Sequence, residues 1–199
     1  MKACVSTFCT WNSYGSMLQT LGLRKALASL GWDSFVVKDY PEASYYPRLP
    51  KTAKQMLTFP FDCLHIKSRR EVFRKGSKFI RDNIEMRLYP DYPRVCAEPP
   101  VADAYIAGSD QVWQPNKMKP LFFLDFVKHV KKISYAASMG KTEFPPEARE
   151  PFKKYLEDFR FLSVRERECA EVIDELTGRT ASVNIDPTFF FDKRRVADL

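Results

Sequence analysis

At 199 residues the chain is long enough to bury a core and suits one domain or one and a half. Apolar residues make up 45% and charged residues 29%, which excludes disorder as the default, and no apolar run approaches the roughly 20 residues that span a bilayer. A net charge of +7 admits nucleic acid, an anionic membrane surface or small anions as partners and chooses none of them.

Lys2 to Phe8 is short, β-prone and apolar at alternate places, so it reads as a first strand. Asn12 to Ser16 is a turn rich in cap residues. Met17 to Leu30 then reads as a helix buried on most sides, stopped by Gly31. Ser34 to Lys38 is a second strand and completes a β-α-β unit. Pro41 to Pro60 reads as an excursion from the sheet. Lys67 to Asn83 is a helix with Lys67, Arg70, Arg74, Lys78 and Arg81 on one stripe. Val72, Phe73, Phe79, Ile80 and Ile84 cluster opposite them, and Arg69 breaks the pattern.

Asp91 to Pro100 reads as a proline-rich connector, and Ala104 to Ile106 as a short buried strand. Leu121 to Val127 and Lys132 to Ala136 read as further strands. Pro151 suits the first position of a helix whose apolar stripe is Phe152, Tyr155, Leu156 and Phe159. Phe161-Leu162 reads as a strand. Ser163 to Glu166 has capping-box spacing, which places Arg165 in the first turn of a helix. Cys169, Val172, Ile173 and Leu176 form that helix's stripe, closed by Gly178. Val183 to Ile185 is a last strand. Strands alternating with helices imply an α/β, Rossmann-like fold, a mainly parallel sheet with helices on both faces. Residues 1–191 form this domain, and Asp192 to Leu199 reads as the start of a linker.

Five cysteines, Cys4, Cys9, Cys63, Cys96 and Cys169, match no zinc or disulfide framework. They read as free thiols of a reducing compartment, and no leader opens the chain, which points to the cytoplasm. The phosphate loop of nucleotide hydrolases, the glycine-rich dinucleotide fingerprint, the metalloprotease helix and the serine-hydrolase elbow are all missing. His65 and His129 sit in basic surroundings and read as non-catalytic. No catalytic residue, metal or cofactor is assigned.

Ligands bind such sheets at the carboxyl ends of the strands. Four segments there are polar: Asn12 to Ser16, Gly108 to Gln111, Ser163 to Arg165 and Asp186 to Thr188. Each is also ordinary turn and cap chemistry; all four on one edge favour a site. Arg165 is the sharpest residue. A cation in a helix's first turn opposes the helix dipole, so stability alone would not choose it. Its guanidinium either grips a carboxylate or phosphate with two bonds, or pairs with Glu166 or Glu168.

Several stretches together resemble the polysaccharide pyruvyl transferase family. They are Asn12-Ser13-Tyr14-Gly15-Ser16-Met17-Leu18-Gln19 with Ala26-Leu27, and Asp103 to Trp113 through Gly108-Ser109-Asp110-Gln111. Phe123 to Phe126, Ser134 to Gly140, Ser163 to Glu166 and Asp186-Pro187-Thr188 continue the series in the family's order. The resemblance implies transfer of a pyruvyl unit from phosphoenolpyruvate, a substrate rather than a cofactor, onto a sugar or lipid-linked oligosaccharide of a bacterial surface glycan. It implies the amino-terminal half of a B-type glycosyltransferase architecture, with the site in an interdomain cleft.

By the same resemblance, Arg165 holds the donor's charges, and Asn12, Gly15, Ser16, Gln19, Gly108, Ser109, Asp110 and Gln111 face the cleft. The family's second domain, with its Arg-Leu-His stretch, has no counterpart in these 199 residues. The expectation is a chain inactive alone, completed by a carboxy-terminal half or by self-association. Trp113, Phe190 and Phe191 are then candidates for an exposed apolar patch. Alternatives are a non-catalytic glycan- or anion-binding remnant and half of a nucleotide-sugar glycosyltransferase. Nucleic acid is not expected as a partner, because no aromatic-rich RNA-binding signature is present. The expected place is the cytoplasm, with the inner face of the membrane as an alternative.

Overall fold

The computed structural model describes residues 1–39, 66–140 and 144–191. Within them six parallel strands form one sheet: β1 Lys2–Ser6, β2 Asp33–Lys38, β3 Met86–Leu88, β4 Ala104–Ala107, β5 Lys132–Ser134 and β6 Phe159–Phe161. Their order is β3-β2-β1-β4-β5-β6, the doubly wound, Rossmann-like arrangement. A second parallel pair, β7 Ser163–Val164 and β8 Ser182–Val183, is joined to this sheet's carboxyl edge by single bridges from Asp110 to Ala137 and from Ala137 to Val164.

Strands covered on both faces read as continuous apolar runs rather than alternating ones, and the central strands do. Ala3, Val5, Val36 and Ile106 face one core with α1 (Tyr14–Ser29) and α2 (Ile66–Asn83). Cys4, Phe35, Val37, Tyr105 and Ala107 face the other, with α3 (Tyr92–Ala97), α4 (Pro146–Leu156) and α5 (Arg167–Thr177). Trp113 anchors that second core: it stacks on Phe123 at 5.7 Å and meets Phe152 and Phe159 edge-on. Gly31 and Gly178 end α1 and α5 at positive φ, where a side chain would be strained, as their positions predicted.

Several sequence expectations are corrected. Leu121 to Val127 is not a strand; Pro120–Phe123 is a 3₁₀ turn whose Leu121, Phe122 and Phe123 pack into the core. A short run buried on all sides carries no periodicity to separate the two. Pro151 lies inside α4, not at its start. Pro146 occupies the first position, and Pro151 merely forfeits one backbone bond. Phe159 belongs to β6 instead of that helix's stripe. Asp91 to Pro100 contains α3, capped by Asp91 accepting from the Arg94 N–H at 2.9 Å.

The capping box at Ser163 does not form. That hydroxyl is engaged across the strands by the Ala136 N–H and the Asn184 amide, and α5 starts instead after Glu166. Arg165 therefore precedes the helix and is not in its first turn. Val72 is exposed, because Gly76, closely packed on the Trp11 backbone, takes the buried position of α2. Trp113 is fully buried and cannot belong to an exposed patch, whereas Phe189 and Phe190 are exposed. Pro41 to Pro60, Cys63, His65, the side chains of Lys67 and Arg69, and Asp192 to Leu199 lie outside the described residues.

Candidate functional site

All strands of the main sheet run parallel, so their carboxyl ends share one edge. Three of the four polar segments read from sequence meet there through side chains. Ser109, fully buried, shares its one hydroxyl proton between the Ala136 carbonyl and Oδ2 of Asp186, both at 3.2 Å. Arg165 Nη1 reaches the same Oδ2 at 2.8 Å. Asp186 Oδ1 accepts from the Thr188 N–H at 2.9 Å and from its hydroxyl at 2.8 Å. One carboxylate thus ties the loop after β4, the loop after β7 and the turn after β8.

That turn is seated by α1. Gly22 packs so closely that a Cβ there would overlap the Pro187 carbonyl. On the other side of Arg165, Nε reaches Glu166 Oε1 at 3.1 Å, and the Ser138 hydroxyl donates to that oxygen at 2.6 Å. Glu166 Oε2 is buried and makes no hydrogen bond among the described residues. Glu168, the other sequence candidate, forms no ion pair with Arg165.

The electrostatics follow from these bonds. Burial pushes the Asp186 carboxyl up. The Thr188 N–H and hydroxyl and the Arg165 guanidinium outweigh that burial and hold it below the ordinary carboxylate range. Burial pulls the Arg165 guanidinium down, but hydrogen bonds and charge from Asp186 and Glu166 raise it overall. The three groups together carry a net −1.

The remaining sequence-predicted residues take different places. Ser13 caps α1, and Ser16 is buried, donating to the Ser13 carbonyl at 2.9 Å. Gln19 is buried too; its amide reaches the Phe8 and Ser16 carbonyls and the Thr7 and Thr20 hydroxyls, while its Oε1 has no partner among the described residues. Asn12 and Gly15 are exposed at the tip of the same loop. Asp110 holds φ +78, a conformation costly for a residue with a Cβ, and its Oδ1 accepts from the Gln111 N–H at 2.8 Å. Gly108 precedes it at φ +104. A cavity of about 300 Å³ is lined by Gln111, Met139, Gly140, Arg165, Glu166, Glu168 and Cys169. His129 lies before β5, on the opposite edge.

Sequence reasoning missed Thr7 and Ser138. Thr7 donates to the Ser109 carbonyl at 2.6 Å, and Ser138 holds Glu166. Ser138 stands in a motif-bearing stretch, but its partner is 28 positions away and only the fold brings them together. Among the described residues no group of three His, Cys, Asp or Glu can hold a metal ion, and no helix is long and apolar enough to cross a membrane. Cys4, Cys9, Cys96 and Cys169 form no disulfide among the described residues, and burial pushes the Cys4 and Cys169 thiols far up, which makes them poor nucleophiles.

The family model described as polysaccharide pyruvyl transferase matches residues 14–198. No curated protein and no solved structure matches the chain.

Proposed function

We propose, from the premise that the chain belongs to the polysaccharide pyruvyl transferase family, that it transfers a pyruvyl unit from phosphoenolpyruvate to a sugar of a bacterial surface glycan. One observation carries this reading: a guanidinium stands at the wall of a cavity at the strands' carboxyl ends, where such sheets bind ligands. Phosphoenolpyruvate offers a phosphate and a carboxylate, both suited to a planar guanidinium. The basic balance of the chain favours the approach of such an anion.

The reaction balances without a cofactor. The methylene carbon of the enol takes up a proton, and one sugar hydroxyl adds to the neighbouring carbon. A second hydroxyl then displaces inorganic phosphate, and its proton leaves with it; the product is a pyruvate ketal. In this reading Arg165 holds the donor's charges. Gln111 stands on the cavity's wall, Gly108, Ser109 and Asp110 shape the loop behind it, and Asn12 and Gly15 lie at the tip of the neighbouring loop, which the buried Ser16 and Gln19 hold from within. The acceptor, a sugar or lipid-linked oligosaccharide, enters from the opposite side, against a second wall from a further domain or another copy. Free thiols among the described cysteines support a cytoplasmic place, at the membrane's inner face where the acceptor is lipid-linked.

The test combines donor binding with turnover. Phosphoenolpyruvate titrated into the isotope-labelled protein is expected to shift Arg165, Gln111 and Gly140. Incubation with donor and candidate acceptors is expected to release phosphate and form an acid-labile ketal in equal amounts only where a further domain or another copy supplies the second wall, and not with the 199-residue chain by itself. Binding without transfer even when that wall is supplied would favour a non-catalytic anion-binding module. Consumption of a nucleotide sugar in place of phosphoenolpyruvate would favour a glycosyltransferase half.

A further inference from the structure

Arg165 carries one more carboxylate than its charge requires, and the two are held differently. Asp186 is satisfied on both oxygens: Thr188 supplies two donors to Oδ1, and Ser109 and Arg165 supply one each to Oδ2. It is the more sheltered of the two, its side chain 15% exposed, and it does not line the cavity. Glu166 is 33% exposed, lines the cavity and leaves Oε2 buried without a donor among the described residues. A buried carboxylate oxygen with no donor is costly. Glu166 is therefore the weaker partner of the guanidinium, and it is the one facing incoming ligand.

We infer that the two carboxylates have opposite roles: Asp186 is a positioning residue that fixes the guanidinium, and Glu166 is a resident stand-in that an anionic ligand displaces from Arg165. This inference rests on the reading of Arg165 as the donor's anchor. The charge balance requires such an exchange. Arg165, Asp186 and Glu166 sum to −1, so an added phosphate or carboxylate meets net repulsion until Glu166 gives up its bond to Nε. Nε and the ligand-facing side of the fork then become available, while Nη1 stays on Asp186 and keeps the fork oriented. Ser109 takes part indirectly, through its bond to the same Asp186 oxygen.

The inference requires substitutions of opposite sign. Phosphoenolpyruvate and, separately, inorganic phosphate are titrated at low salt into the wild type, Glu166→Gln and Asp186→Asn, with arginine side-chain NMR on the free proteins. Glu166→Gln removes the competing charge and is expected to tighten both anions several-fold. Asp186→Asn loses the charged bond that orients the fork and is expected to weaken them about tenfold. Ser109→Ala, a milder change, is expected to weaken them less, in the same direction.

In the free protein, rotation about the Cζ–Nη1 bond of Arg165 is expected to be slow in the wild type and in Glu166→Gln, and fast in Asp186→Asn. A merely structural Asp186 would alter melting temperature without this selective release. Affinities that move in one direction for both carboxylates, with binding intact in the wild type, overturn the inference and leave the donor reading standing. Failure of either anion to bind even Glu166→Gln overturns the donor reading. Fast Nη1 rotation in the wild type overturns the positioning role by itself.

Discussion

Lys132 and Arg165 are both cations drawn into the protein beside acidic partners, and they stand at opposite edges. Lys132 opens β5 at the amino edge, its side chain only 2% exposed, with one partner among the described residues, Asp158, at 3.0 Å and 49% exposed. Arg165 follows β7 at the carboxyl edge, 29% exposed, with two partners and a cavity before it. At Lys132 the stem is covered and the ammonium finds one half-exposed acid, as a long side chain does when it packs for its hydrocarbon. Burial pulls the Lys132 ammonium down, against the pull of Asp158. At Arg165 two carboxylates surround a fork that remains reachable. Burial marks a structural cation; surplus counter-charge with access marks one placed for exchange.

The largest effect is expected where only packing is at stake. Lys132→Ala removes a buried stem and should cost about 2–5 kcal/mol, by analogy with truncating other long core side chains. Lys132→Met keeps the volume and should stay within about 1.5 kcal/mol of wild type. Denaturant unfolding of both variants checks this. If Met costs as much as Ala, the ion pair and not the stem is what holds this edge. Next in size is Gly22→Ala, which forces the Pro187 turn away from α1 and should cost about 1–3 kcal/mol. It should also loosen Arg165, since Asp186 rides on that turn, and anion titration would reveal it without any charge having been changed.

The difference in legibility between these regions has a physical source. α2 and α5 were readable because each has an apolar face at helical spacing, and the β1-α1-β2 unit because its apolar runs are punctuated by cap residues and by Gly31, a positive-φ stop like Gly178 after α5. The 3₁₀ turn at Pro120–Phe123 was not, since Leu121, Phe122 and Phe123 are buried on every side. β3 is three residues long on a sheet edge, too short to show alternation. In the site, Arg165 and the segments around Ser109 and Asp186 were legible as polar residues at strand ends. The partner choice was read in half: Glu166 is adjacent in sequence, but Asp186 is 21 positions away and reaches Arg165 only because Pro187 packs on Gly22. The helix-dipole reasoning for Arg165 does not survive, because strand pairing claims the Ser163 hydroxyl.

A smaller stability change is expected at Arg165, with a large functional one. Arg165→Ala strips one charged hydrogen bond from Asp186, which still has three donors, so the loss should be about 1.5–3 kcal/mol. Arg165→Lys should lose less stability yet fail to restore anion binding, because an ammonium cannot hold Asp186 and a ligand in the same plane. Thermal melts beside phosphoenolpyruvate titrations separate the two effects. Binding by Arg165→Lys equal to wild type would reduce the guanidinium to a point charge.

The finest distinction between the two edges is in acid. Both Asp186 and Asp158 are held below the usual carboxylate value of 3.8, so each contributes stability that is present above that value and lost as pH falls through its lower folded value. Their causes differ. At Asp186 burial opposes ionisation and is overcome by Thr188 and Arg165, whereas at Asp158 the leading cause is the hydrogen bond from Lys132. Asp158 is half exposed, so water and salt screen its share. Asn at either position cannot ionise and carries no such pH term. Wild type should therefore exceed Asp186→Asn in unfolding free energy at pH 7, with the gap closing below about pH 4 and changing little when salt is raised. For Asp158→Asn the gap should be narrower at pH 7 and shrink further in high salt. Denaturant unfolding between pH 7 and pH 3 at two ionic strengths measures both gaps. A salt-sensitive gap at Asp186 would mean that its pair with Arg165 is as wet as the one at Lys132, and the contrast between the two edges would fail.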